Sequence, residues 1–144
     1  MKTHEITKET FINATCDAVF DALTDSEKII RYFPLEKVVS SWLPGDTVEY
    51  HGTVGGEPFV DYGIIEKLDR PEQYRYTYWS TNHGTERTQA NHLTIAYQLS
   101  RHGRGTRLTV EQSNIRSKEM YERMENTVWD FLLARLKEYV ENET

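Results

Sequence analysis

LTIAYQLSRHGRGTRLTV, residues 93–110, alternates apolar and polar side chains on both sides of a glycine-containing turn. Leu93, Ile95, Tyr97 and Leu99 precede His102-Gly103-Arg104-Gly105, and Leu108 and Val110 follow it. Such alternation marks two half-buried strands. A four-residue turn here pairs Leu99 with Leu108 and Tyr97 with Val110. Directly opposed residues share a face, so this register keeps every apolar side chain on one side, and a one-residue slip would not. It also carries Gln112 opposite Ile95 and Asn114 opposite Leu93. Two amides then lie on a face that should be apolar.

Beyond this hairpin the period changes. Ser117 is a candidate N-cap with Glu119 in the first turn. From Met120 and Tyr121 through Met124, Val128, Trp129, Leu132, Leu133 and Leu136 to Tyr139 and Val140, apolar residues recur at helical spacing. About 25 helical residues span roughly 37 Å, and a ten-residue strand about 33 Å, so this helix is long enough to cross a whole sheet. Its apolar stripe is too wide to leave in water, and the sheet's apolar face is its partner.

Upstream, residues 4–13 read as a first strand. Thr15 can cap a helix carrying Asp17, Val19, Phe20 and Leu23. A second short helix starts at Asp25 or Ser26, carries Ile29, Ile30 and Phe33, and stops at Pro34. Val38 and Val39 begin a strand running to Trp42. Leu43-Pro44-Gly45-Asp46 is a turn with Pro second and Gly third. Val48, Tyr50 and Gly52 alternate up to a tight turn at Gly55-Gly56. A strand from Phe59 to Leu68, a loop at Asp69-Arg70-Pro71-Glu72, the alternating Tyr74, Tyr76 and Tyr78, and a polar loop over about residues 80–90 complete the chain. The order is strand, two helices, six strands, one long helix: an α+β fold, β-α-α-β6-α, with an antiparallel sheet on a long C-terminal helix.

A chain of 144 residues, without linker or repeat, reads as one domain over 1–144. Its net charge of -6 and pI near 5.4 argue against a nucleic-acid or anionic-membrane binder. Cys16 is the sole cysteine, so no internal disulfide forms. No apolar leader and no membrane-span-length stretch is seen, which reads as cytoplasmic.

Several local motifs in this order resemble a known family. They are Ile12-Asn13-Ala14, Val19-Phe20-Asp21-Ala22-Leu23-Thr24-Asp25, Leu43-Pro44-Gly45-Asp46, and Gly63-Ile64-Ile65-Glu66 leading to Pro71. Tyr74-Arg75-Tyr76-Thr77-Tyr78, Gly105-Thr106-Arg107-Leu108-Thr109-Val110, and Trp129 with Leu132, Leu133, Leu136 and Lys137 follow. Over about residues 5–142 the chain resembles the START-like, or Bet-v-1-like, superfamily, and within it proteins related to the C-terminal domain of the activator of the heat-shock protein 90 ATPase. The resemblance implies a helix-grip fold, a curved sheet wrapped around the long helix with a cavity between them. Superfamily relatives bind lipids, sterols, flavonoids or polyketides, and some catalyse cyclisation or dehydration. The heat-shock activator carries a second, N-terminal domain that has no counterpart here.

The residues themselves point the same way. Tyr74, Tyr76, Tyr78 and Tyr97 should all face the helix, although a buried phenol must find a partner that Leu or Val does not need. With Gln112 and Asn114 they read as a cavity apolar in body and polar in spots. The alternative sets the tyrosines at sheet edges with wet hydroxyls and the amides at a frayed strand end. In the first reading Tyr76, Tyr78, Tyr97, Trp129 and Leu133 supply walls, Gln112 and Asn114 polar anchors, and Phe33, Trp42 and Tyr62 close the entrance. Trp129 and the leucines serve equally as core.

No catalytic constellation is evident, and no metal or cofactor is implied. His4, His51, His83, His92 and His102 form no ligand pair, and His83 and His102 read as solvated turn residues. Cys16 at a helix start lacks a base and reads as inert. Gly103 and Gly105 join strands and precede no helix, unlike a dinucleotide loop. Asp61 and Glu66 lie on a strand whose facing is left open by Gly63, which invites a bulge. Outward and solvated is the plain reading for both; inward, either would be a carboxyl with raised pKa and a candidate acid or base. The expected partner is an apolar small molecule. A heat-shock ATPase partner and a cyclase or dehydratase activity are the alternatives.

Overall fold

The structure, a computed structural model, describes residues 2–143; Met1 and Thr144 of the expected 1–144 domain lie outside the described residues. The elements run β1 (His4–Ile12), α1 (Cys16–Thr24), α2 (Ser26–Tyr32), β2 (Lys37–Ser40), β3 (Thr47–Val54), β4 (Glu57–Asp69), β5 (Gln73–Ser80), β6 (Leu93–His102) and β7 (Gly105–Ile115). A 3-10 turn (Gln89–Asn91) precedes β6. Then come α3 (Lys118–Arg123), a π segment (Met124–Val128) and α4 (Trp129–Glu143).

The strands form one antiparallel sheet ordered β1-β7-β6-β5-β4-β3-β2. Local chemistry explains most boundaries. The Thr15 hydroxyl accepts from the Ala18 N–H (3.2 Å), and the Asp25 carboxylate from the Glu27 N–H (2.9 Å), so α1 and α2 are capped side by side. Gly45 has φ +89° at the third position of its turn, the value a type II turn requires. Gly55 and Gly56 both have positive φ (+59° and +84°), as a two-residue type I′ hairpin needs. The Ser117 hydroxyl accepts from the Met120 N–H (3.1 Å) and starts α3.

The β6–β7 register is the one the alternation demands: Leu99 opposes Leu108, Tyr97 opposes Val110 and Ile95 opposes Gln112. Leu108, Val110, Ile65 and Val48 are fully buried on the inner face, against Trp129, Leu132, Leu133, Leu136 and Val140 of α4. Burying each such side chain contributes about 1.5–3 kcal/mol. At the β1 edge, Lys137 donates to the Phe11 carbonyl (2.7 Å), and the Glu141 carboxylate accepts from the Asn13 N–H (2.8 Å).

Most boundaries shift by one or two residues, and two elements differ more. β2 ends at Ser40 because Trp42 adopts φ +57°, which breaks the strand before the turn. The final helix is interrupted: the Trp129 N–H bonds the Met124 carbonyl, five residues back, so one residue bulges out between α3 and α4. No described helix is long and apolar enough to cross a membrane.

Candidate functional site

Three strands carry the site. Tyr50 on β3 directly opposes Asp61 on β4, and Asp61 opposes Ser80 on β5. Opposed residues share a face, so all three point inward with Tyr76 and Tyr78. Between them lies Gly63, where a Cβ would come within 2.9 Å of the Val48 side chain and the Thr77 carbonyl. On this face the rings of Tyr50 and Tyr76 lie 5.6 Å apart and those of Tyr76 and Tyr78 6.0 Å.

One end of this aromatic face is closed. Tyr74 stacks between Tyr76 (5.0 Å) and Tyr97 (5.9 Å), and its hydroxyl shares a 2.8 Å hydrogen bond with that of Tyr50. Trp42 packs edge-on over Tyr74 (5.8 Å) and donates its indole N–H to the Ser26 hydroxyl (3.0 Å). Phe33, half-buried, packs edge-on against Tyr32 (6.5 Å). In the centre, Gln112 donates to the Tyr78 hydroxyl (3.0 Å) and accepts from the Trp129 indole N–H (2.7 Å). Trp129 in turn meets Tyr97 edge-on at 6.2 Å, and Leu133 is buried on the same helix.

The rest of the face is not sealed. Tyr50, Tyr76, Tyr78 and Tyr97 keep 6–7% of their surface accessible, where Tyr74 keeps 1%. Among the described residues, the Tyr76 and Tyr97 hydroxyls have no hydrogen-bond partner, yet no buried polar side-chain atom is left unsatisfied. Both hydroxyls therefore reach space that water can enter. Burial raises all these phenols well above the usual tyrosine range, so they stay neutral donors.

Asp61 lies at the edge of that space. It is half-buried, and burial lifts its pKa to about 6, against a smaller opposing pull from the Ser80 hydroxyl opposite it. Its charge is felt by Tyr76 and Tyr78. Beside Tyr78, at 5.5 Å, sits the His83 ring. Burial first, and the positive charge of Arg123 second, lower the His83 pKa to about 4. Its Nδ1 accepts from the Ser80 N–H (3.3 Å), which leaves the proton on Nε2. Asp61, Ser80 and His83 thus lie together at one end of β4 and β5, and the charge of Arg123, at the C-terminus of α3, reaches Tyr78 and His83.

Of the residues the sequence proposes, the structure places Tyr76, Tyr78, Tyr97, Gln112, Trp129 and Leu133 together on the inner face, with Trp42 and Phe33 at the closed end. It corrects other readings. Tyr62 opposes Trp79 and stacks on it (6.5 Å), with Arg87 over its ring (4.2 Å); alternation puts it on the outer face, away from any entrance. Asn114 has φ +63° and leaves the ladder before Leu93; its amide donates to the Ala90 (3.0 Å) and His92 (2.7 Å) carbonyls and ties down a loop. Gln112 spends its amide inside the core. Asp61 faces inward, against the plain reading. Glu66 points outward and pairs with Arg75 (3.1 Å), because the bulge falls between Ile65 and Lys67 and not at Gly63. His83 is half-buried on Tyr78, not solvated; His102 is exposed and packs on Phe11 (4.6 Å).

The inward carboxylate was readable. A two-residue turn at Gly55-Gly56 pairs Val54 with Glu57, and counting back along the two strands places Asp61 opposite Tyr50. Nothing in the sequence signals the approach of His83 and Arg123. Away from this face, a groove of about 610 Å³ lies between the start of α1 and the two sheet turns, lined by Cys16, Pro71, Glu72, Leu99, Arg101 and Arg104 among others.

Comparison with known proteins places this geometry. The family described as "Activator of Hsp90 ATPase homolog 1-like protein" matches residues 13–141. No curated protein matches the chain. Among solved structures, ChR145 from Cytophaga hutchinsonii is 25% identical with a TM-score of 0.83, over 99% of this chain and 98% of that one. The Aha1 dimer from Colwellia psychrerythraea aligns at 18% identity and a TM-score of 0.78, over 96% of each chain. Ara h 8.0201 aligns at 14% identity and a TM-score of 0.76, over 98% and 99%. The chain therefore has the α+β helix-grip fold of Bet v 1-like proteins and belongs to the Activator of Hsp90 ATPase homolog 1-like family.

Proposed function

We propose that the inner face binds one small, largely apolar molecule, lipid-like or aromatic, between the sheet and the α3–α4 stretch. The observation that carries this reading is the pair of inward phenols, Tyr76 and Tyr97, whose hydroxyls open onto water-accessible space without a protein partner. An apolar wall with a few polar points is what fixes and orients a small ligand. Tyr76, Tyr78, Tyr97, Trp129 and Leu133 are the wall; Asp61, His83 and Arg123 stand at its polar end.

A thermal-shift screen against lipids, sterols, flavonoids and aromatic polyketides tests it. One chemical class is expected to raise the melting temperature. The double variant Tyr76→Phe, Tyr97→Phe keeps both rings, and is expected to weaken that binding about tenfold through two lost hydrogen bonds. Undiminished affinity in this variant would move the ligand elsewhere. No shift with any class would overturn the proposal.

Two other readings each have one support. The family description and the likeness to an Aha1 dimer favour a surface that engages a heat-shock ATPase. Salt-sensitive capture of such an ATPase with faster turnover is its sign. The inward Asp61 favours a cyclase or dehydratase type of enzyme, which would convert an aromatic polyketide and lose that turnover on Asp61→Asn.

A further inference from the structure

Asp61 has an unusual environment for a carboxylate. Among the described residues it has no basic partner. Its polar neighbour on β5 is the Ser80 hydroxyl, directly opposite it. An ionised carboxylate offers about four lone-pair directions, so this half-buried group can accept from a ligand in place of water. Charges drawn partly out of water are otherwise paired, because an uncompensated one is costly to desolvate. The surroundings are also of one kind. Tyr50 is directly opposed, Tyr76 and Tyr78 sense the Asp61 charge, and the rings of Tyr50, Tyr76 and Tyr78 form a continuous run at 5.6 and 6.0 Å. Aromatic faces attract cations through the ring quadrupole.

We propose that this site selects ligands carrying a primary ammonium group on an apolar body, with Asp61 as the counter-ion and the rings of Tyr50, Tyr76 and Tyr78 around the cation. This rests on the reading that the inner face holds a small molecule, and it names the chemical class. A neutral ligand leaves Asp61 uncompensated, and an anionic one is repelled by it. The groups that face Asp61 are Tyr50 from β3 and Tyr76, Tyr78 and Ser80 from β5. His83 and Arg123 stand beyond Tyr78; Arg123 bears on Tyr78 and His83.

The test is an NMR titration of the purified protein with phenethylamine and with its neutral isostere 2-phenylethanol, followed at the Trp129 indole N–H. At pH 7.5 the amine is expected to bind about tenfold more tightly, the worth of one charge-assisted hydrogen bond with a cation–π contact. Asp61→Asn, which removes a costly charge and is expected to fold, should abolish the preference. The wild type provides a check without mutation. Among the groups lining this site only Asp61 changes charge between pH 5 and 7.5, since His83 titrates near 4 and the phenols far above, so amine affinity should rise across that range. Equal affinities for amine and alcohol, or a preference that survives Asp61→Asn, overturn this inference and leave the apolar-ligand reading standing. Failure of both probes, together with a blank apolar screen, overturns both.

Discussion

A carboxylate at position 61 titrates near pH 6 because burial disfavours its charged form, and this links it to stability. The folded state holds the proton more tightly than the unfolded chain, whose reference is 3.8. Stability therefore falls as pH rises from about 4 to about 6, and the deficit is constant above that. Asp61→Asn is expected to stabilise the protein by about 2 kcal/mol at pH 7, with the gain vanishing by pH 4. Urea midpoints at the two pH values measure it, and an Asn variant less stable at pH 7 would show that Asp61 is already paired. Gln112 behaves oppositely. Its amide bridges Tyr78 and Trp129, so Gln112→Ala orphans a hydroxyl and an indole N–H and opens a void. A loss of about 3 kcal/mol is expected on urea unfolding. That an amide sits at 112 on the apolar face was legible from the hairpin register alone. Its partners were not, because Tyr78 and Trp129 come from other elements, 34 and 17 residues away.

At the scale of elements, the π segment is the feature that patterning concealed. An apolar stripe from Met120 to Val140 fits a continuous helix, and one extra residue per turn blurs it only slightly. The bulge nevertheless sets the orientation of α3 relative to α4, and so where Arg123 stands against Tyr78 and His83. Deleting Asn126 should restore regular α geometry and turn α3 by roughly 100° about its axis. The expected result is a folded protein, with circular dichroism and melting near wild type, in which the His83 pKa followed by NMR rises toward the ordinary imidazole value as Arg123 moves away. An unchanged His83 titration would mean that the bulge does not position Arg123. Shorter elements were easier to read. The caps at Thr15, Asp25 and Ser117 and the turns at Gly45 and Gly55-Gly56 follow from local hydrogen bonding and allowed φ, which need no tertiary information.

For the whole molecule, the proposed ligand and the fold share one interior. A ligand at about 100 times its dissociation constant adds roughly 2.7 kcal/mol to the folded state, several degrees of melting temperature in a chain of this size. That shift is the magnitude the apolar screen should show for the right class. The architecture supporting it was written in the sequence. Alternation, helical spacing, capping residues and turn glycines are short-range signals, and each depends on the backbone geometry of a few consecutive residues. They determined the element order, the β6–β7 register and the tyrosine-rich face directed at Trp129 and Leu133. The family motifs carry the same information, since they mark the same turns and core positions. Tertiary structure alone decided which polar groups remain free inside. Gln112 is satisfied by a helix that arrives after it in the chain, and Asn114 is drawn to a loop. His83 folds onto Tyr78, the charge of Arg123 reaches them from the far side of a helix bulge, and Asp61 is left inward without a cation among the described residues. These outcomes depend on contacts between distant segments, where desolvation and pairing are settled by three-dimensional proximity, and no spacing along the chain encodes that proximity.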